Sequence, residues 1–233
     1  MEPKPTLADR NSDPMMASTR LREMIMGFRT TQLLHVAAKL NLADHLANGP
    51  QQAERLAQIA GADALSLRRV MRALGSLGLV VETDGTFELT AIGELLRRDT
   101  PGSLHAIALL YGEEWLWRAY GRMVHSVQTG EPAFIQVHGM PFYEYLGQEP
   151  AAAAQFQQAM SEFSRLEAQA IADAYEFVGY STLVDVGVGR ERCWPGCSRR
   201  TRVSPGCCST CQTLSVGQTG SSPKPASAPG PRP

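Results

Sequence analysis

The sequence predicts a mainly α-helical protein with a winged-helix front end and a helical connector, then the first strand of an α/β domain and a tail without stable structure. Three observations carry this. Apolar residues recur at steps of three and four over Ser18–Leu46, and the pattern is mostly helical again from Ser103 to Tyr175. Two short helices, a tight turn and a strand–turn–strand signal follow one another between Gln52 and Leu89. The composition then breaks near Arg190.

After a polar leader, Ser18 to Leu46 reads as one helix, with Leu21, Ile25, Phe28, Leu33, Val36, Ala37 and Leu40 in a stripe too broad for a lone surface helix. It should pack against another helix, of its own subunit or of a partner's. Asn48-Gly49-Pro50 stops it, because glycine and proline turn the chain. A helix over Gln52–Ile59, a turn at Ala60-Gly61-Ala62-Asp63 and a helix over Ala64–Leu77 follow, with Leu67, Val70, Met71 and Leu74 on one side of the last. Leu79–Thr83 and Thr86–Leu89 are strands around the hairpin signal Asp84-Gly85. Thr90 caps a helix over Ala91–Arg98, which Thr100-Pro101-Gly102 ends. From Ser103 to Tyr175 the pattern is helical, broken at Thr129–Pro132, Gly139–Pro141 and Glu149-Pro150.

Ser181–Val186 then reads as a buried strand running into Gly187-Val188-Gly189-Arg190. Glycines after a strand let the backbone come close to a ligand, and a following helix would offer free N–H groups to an anion. A plain β-turn explains the fragment equally well.

Up to Asp185 there are 15 basic and 22 acidic residues and no cysteine. All five cysteines, and no acid after Glu191, lie in the remainder, which finishes in a Pro-, Ser- and Gly-rich run. Such a segment buries too little apolar surface to offset its chain entropy, so it is expected to be disordered. No apolar run is long enough to span a bilayer, so no membrane partner is expected. The opening residues carry acids and prolines where a secretory signal needs a basic start and an apolar stretch, which predicts a cytoplasmic protein.

The order winged helix, then Pro141–Leu146 and Phe156–Ser161, then Leu183-Val184-Asp185-Val186-Gly187-Val188-Gly189, resembles the S-adenosylmethionine-dependent O-methyltransferases of bacterial antibiotic and plant phenolic pathways. The resemblance covers nearly all of Ala17 to Arg190. It implies a flexible leader (1–16), a winged-helix dimerisation domain (17–100), a helical connector with acceptor-side helices (101–180) and the start of a Rossmann-like α/β methyltransferase domain (181–190). Residues 191–233 are the disordered tail. The family carries D-V-G-G-G-x-G where its glycine turn cradles the methionine part of the cofactor. Here the motif stands only at Asp185, Gly187 and Gly189, with Val188 and Glu191 in place of glycines.

The genetic code offers an explanation. If one base is missing just after the Arg190 codon, each intended codon is the last base of one residue plus the first two of the next. Cys193-Trp194 then gives Leu, Trp194-Pro195 gives Ala and Cys207-Cys208 gives Leu. The restored string is close to G-A-L-L-A-G-L-L-Q-A-H-P, then G-V-L-L-D-L-P-D after a short gap. It reads as a helix and an apolar strand ending in an acid, about 20 residues on, where an acid meets the ribose of an adenosine cofactor. A restored G also turns the Glu191 codon into one for glycine. Residues after Arg190 are therefore read as out of frame, and the chain as written as inactive.

By the resemblance, Asp185, Gly187, Gly189, Met160 and Ser164 bind S-adenosyl-L-methionine. Trp115 and Tyr143 line the pocket of a small aromatic hydroxylated substrate, and the N-terminal helices make a homodimer. No catalytic residue and no metal ligand is assigned: the cysteine spacing is irregular for zinc, with no histidine nearby. The alternative is a non-catalytic winged-helix dimerisation or DNA-binding regulator, with Arg68, Arg69 and Arg72 on the third helix. The acidic excess over the body argues against nucleic acid, whose binding rests on phosphate neutralisation.

Overall fold

The computed structural model describes residues 14–175, 182–186, 201–203 and 211–216. The chain forms two compact units, Met1–Phe163 and Ser164–Pro233.

The first unit opens with α1 (Pro14–Lys39), which enters three residues into the expected leader. Proline suits a first helical position, where its missing N–H leaves no bond unmade. The helix expected to continue to Leu46 breaks instead at Asn41, whose left-handed backbone (φ 51°) leads into α2 (Leu42–Leu46). Asparagine is one of the few residues that adopts this conformation readily. The helix α3 (Ala53–Ala60) and α4 (Ala64–Ser76) follow, the latter capped by the Asp63 carboxylate, which accepts from the Ser66 N–H at 2.8 Å. That bond and the nearby Arg69 charge hold the Asp63 carboxyl below its ordinary value.

The wing is confirmed in register. Strands β2 (Val80–Thr83) and β3 (Thr86–Leu89) pair antiparallel, Val80 opposite Leu89. Asp84 (φ 49°) and Gly85 (φ 78°) both take positive φ, as a two-residue type I′ turn demands. Sequence patterning missed a third member, β1 (Gln51–Gln52), which pairs with β3 at Phe87. Two glutamines carry no apolar alternation to reveal a strand. Thr90 caps α5 (Ala91–Glu94) by accepting from the Gly93 N–H. This helix is shorter than expected, since the chain turns from Leu95 onward. Leu42, Leu46, Leu56, Met71, Leu74 and Phe87, all nearly fully buried, form the core beneath these elements.

The helices α6 (His105–Gly112), α7 (Glu114–Tyr120), α8 (Met123–Thr129), α9 (Ala133–His138), α10 (Phe142–Gln148) and α11 (Pro150–Ala174) complete the connector. Three breaks fall where the sequence places them, at Gly130, Gly139 and Glu149-Pro150, while those at Glu113 and Gly121-Arg122 were not read from it.

Two contacts fix α6. Along α1, Gln32, His35 and Lys39 stand at helical spacing on one face. Gln32 donates to the Gly112 carbonyl (3.1 Å), and the His35 Nδ1–H to that of Leu109 (3.0 Å). Lys39 meets the Glu113 carboxylate at 2.7 Å. The helices approach so closely that a Cβ on Gly112 would lie 2.2 Å from His35 Cβ, which requires glycine there. At the other end of α6, the buried Glu162 of α11 accepts from the N–H groups of Ala106 (3.0 Å) and Ile107 (3.1 Å). A carboxylate satisfies the otherwise orphaned donors of a helix start and complements its dipole.

In the second unit, β4 (Thr182–Val186) confirms the predicted strand. It is not alone, and not every described part of the tail is without structure. β5 (Thr201–Val203) and β6 (Cys211–Val216) are strands, and the sheet order is β4-β6-β5, antiparallel throughout. An unpaired strand edge carries a row of free N–H and C=O groups, and a segment containing Thr213, Leu214 and Val216 has the β-branched and apolar residues to pair with it. Gly187 and Gly189, and the rest of the tail, lie outside the described residues.

Candidate functional site

The sequence-predicted residues Trp115 and Met160 come together. A small core of Ala106, Leu110 and Ala159 has Ile107, Trp115, Leu116, Phe156 and Met160 packed against it. Phe156, Ala159, Met160 and Phe163 follow at steps of three and four along α11, so one face of that helix turns inward. Phe163 closes this face edge-on against Tyr111, ring centroids 6.3 Å apart.

Around Trp115 stands an aromatic cluster that sequence reasoning saw only in part. Its ring lies 5.6 Å from that of Tyr145, 6.0 Å from Phe142 and 6.3 Å from Phe134. His138 joins them, stacked 4.4 Å from Phe134 and 4.7 Å from Tyr145. Its Nε2–H donates to the Trp115 carbonyl at 2.8 Å, since a carbonyl can only accept. Burial among these rings, with the Glu149 charge adding to it, raises the Tyr145 phenol above its ordinary value. The Trp115 indole N–H is buried and has no hydrogen-bond partner among the described residues.

Tyr143 sits at the edge of the cluster. It is 78% exposed, touching Phe142 and Phe156 by its ring edge (centroids 5.4 and 6.5 Å). Ser164, in the second unit, is exposed on α11 one turn beyond Met160. Asp185 lies within β4, opposite Gln212. Phe134 and His138 were missed as members of this cluster because α9 is a short helix, in which too few apolar positions repeat to set a face.

No group of three potential metal ligands occurs among the described residues. None of their helices is long and apolar enough to cross a membrane. Two of the three arginines of α4 are engaged: Arg68 is paired with Glu54, and Arg72 grips Glu82 through two bonds of 2.9 and 3.0 Å. Those bonds raise the Arg72 pKa and hold the Glu82 carboxyl below its usual value.

Residues 22–99 match the O-methyltransferase dimerisation domain, and residues 120–200 match the O-methyltransferase domain. The chain belongs to the O-methyltransferase family. It is 41% identical over 173 residues to a phenazine O-methyltransferase of Lysobacter antibioticus, covering 74% of this chain and 50% of that protein. Among solved structures, the crystal structure of LaPhzM superposes with a TM-score of 0.66 at 40% identity, over 71% of this chain and 50% of that one. A calicheamicin-biosynthesis methyltransferase, CalO1, in its SAH-bound form, superposes at 0.62 with 32% identity, again over 71% and 50%. The chain thus spans about half the length of these O-methyltransferase relatives.

Proposed function

We propose that this chain is the dimerising, acceptor-side half of an S-adenosylmethionine-dependent O-methyltransferase that methylates a hydroxyl of an aromatic natural product. The observation that carries the reading is the aromatic cluster around Trp115 and Met160, whose Met160 helix falls within the matched O-methyltransferase domain. Flat rings at 5–6 Å spacing make an apolar wall suited to an aromatic acceptor. In this reading Trp115 and Tyr143 line the acceptor side, and Met160 and Ser164 approach the cofactor. The SAH-bound CalO1 and the phenazine-methylating relative support the cofactor and the acceptor class.

A homodimer belongs to this reading. Leu21, Ile25 and Phe28 lie on the N-terminal half of α1, the latter two within the matched dimerisation domain, and each is at least half exposed. A second copy would cover them. DNA binding loses support because Arg68 and Arg72 are paired with acids instead of standing free for phosphates.

S-adenosylmethionine in a Rossmann-like domain sits at the carboxyl ends of parallel strands. As described, β4 does not fit that cradle: its neighbour β6 runs antiparallel and pairs Cys211 with Val186, at the strand end where the glycine turn begins. When bound, the cofactor supplies an electrophilic methyl group. What this chain's residues contribute is a wall that orients an acceptor ring and keeps water from it.

The cysteine-bearing segment after Arg190 is, in this proposal, an out-of-frame product, and the chain as written does not transfer methyl groups. The departure at Glu191, which a restored G turns into glycine, supports this. Sequencing the coding DNA across the Arg190 codon tests it. A missing base is expected, whereas a continuous frame in several independent reads would remove the explanation. Size-exclusion chromatography tests the dimer separately.

A further inference from the structure

The first unit holds a second concave site, unrelated to the aromatic wall. A cleft of about 380 Å³ opens between the end of α1, the turn after α5 and the inner face of α11. That volume lies in the range of small-molecule sites. Its polar lining is Lys39, Asn41, Arg98, His105, Gln155 and Gln158, and two of its eight lining residues are apolar. Two cations, three carboxamides and an imidazole face it, and no carboxylate does.

The acids that neutralise the cations are placed outside this lining and hold the cationic heads in position. Asp44 accepts from Arg98 Nε at 2.9 Å and from the Arg98 backbone N–H at 3.1 Å. Lys39 gives one N–H to Glu113, which also accepts from Gln155. The terminal guanidinium nitrogens of Arg98 and two N–H groups of Lys39 remain for a ligand. Asn41 has a left-handed backbone and makes no side-chain cap bond, leaving its amide uncommitted. His105, 3% exposed, donates through Nδ1 to the Leu96 carbonyl at 3.1 Å. Its Nε2 is then the ring atom free for the cleft. Fixed cations with neutral amides beside them select oxyanions by charge-assisted hydrogen bonds.

We propose that this cleft binds a small organic anion through a carboxylate or phosphate group. The site is independent of methyl transfer, so it stands or falls without the reading above. Because both cations are half exposed and partly neutralised, affinity in the range of about 0.1–1 mM is expected.

The test titrates the full chain with citrate and, separately, inorganic phosphate, at ionic strength held constant with chloride, followed by amide and imidazole NMR shifts. Saturable shifts at Asn41, Arg98 and His105 are expected, and the tighter probe identifies the head group. Lys39→Met should weaken binding at least about tenfold. Asn41→Gly, which keeps the left-handed turn, and Gln158→Ala, on an exposed side chain, should each weaken it severalfold without disturbing the fold. If Lys39→Met does not fold, these two variants decide. Shifts that grow linearly with both probes, or an affinity unchanged in Asn41→Gly and Gln158→Ala, would overturn the proposal.

Discussion

Replacing Gly112 with alanine probes the helix crossing that fixes α6 and, through it, the wall of the candidate site. The new Cβ would stand 2.2 Å from both Cβ and Cγ of His35, where ordinary contact begins near 3.4 Å. The His35 ring must therefore retreat by more than 1 Å, which breaks its bond to the Leu109 carbonyl and loosens that of Gln32 to Gly112. Overpacking costs about 1–3 kcal/mol and each lost bond about 1 kcal/mol. Alanine's better helix propensity returns up to about 1 kcal/mol. A net loss of about 2–3 kcal/mol follows, measurable by urea unfolding followed through helical ellipticity. The double variant Gly112→Ala/His35→Ala should lose less than the sum of the single changes by about 1 kcal/mol or more, since removing the ring frees the space. A Gly112→Ala protein within about 0.5 kcal/mol of the parent would refute the close approach.

Other perturbations have equally definite outcomes. Glu162→Ala should cost about 2–4 kcal/mol in chemical denaturation by orphaning the Ala106 and Ile107 N–H groups, with Glu162→Gln recovering part of it. Burial raises the Glu113 carboxyl, but bonds from Lys39 and Gln155 outweigh it and hold the folded-state pKa below the unfolded one. Its contribution is therefore full above the ordinary carboxylate value and lost as pH falls through the lowered folded value. Melting temperature should drop along that acid limb, less steeply in Glu113→Gln. Trp115→Ala should cost about 3 kcal/mol and disperse the ring-shifted resonances of Phe134, Phe142 and Tyr145. Ile25→Glu should yield a folded monomer on sedimentation, its circular dichroism unchanged, because Ile25 is 62% exposed within one chain.

What the sequence made legible follows from where the signal resides. The winged helix could be read largely element by element, because Ala60-Gly61-Ala62-Asp63, Thr90 and Asp84-Gly85 act locally as turn, cap and turn. The break at Asn41 was missed, since the apolar spacing continues through it and only the backbone angle reveals it. Gln51-Gln52 became a strand solely because β3 offered an edge. Of the candidate site residues, the structure brings Trp115 and Met160 into one cluster. The carboxylate of Glu162 was not legible, as its partners lie 55 and 56 residues away. Such tertiary pairings leave no periodicity to read. The pairing of β6 with β4 was likewise beyond composition, which offered only a polar, cysteine-bearing stretch.

The central claim is that a methyltransferase cofactor pocket begins at β4 and is diverted after Arg190. Calorimetric titration of S-adenosylmethionine against the chain as written, and against the product of the same gene with one G restored after the Arg190 codon, tests it most directly. Micromolar binding by the restored protein alone is the predicted result. Equal binding by both chains, or none by either when both are folded, would contradict it.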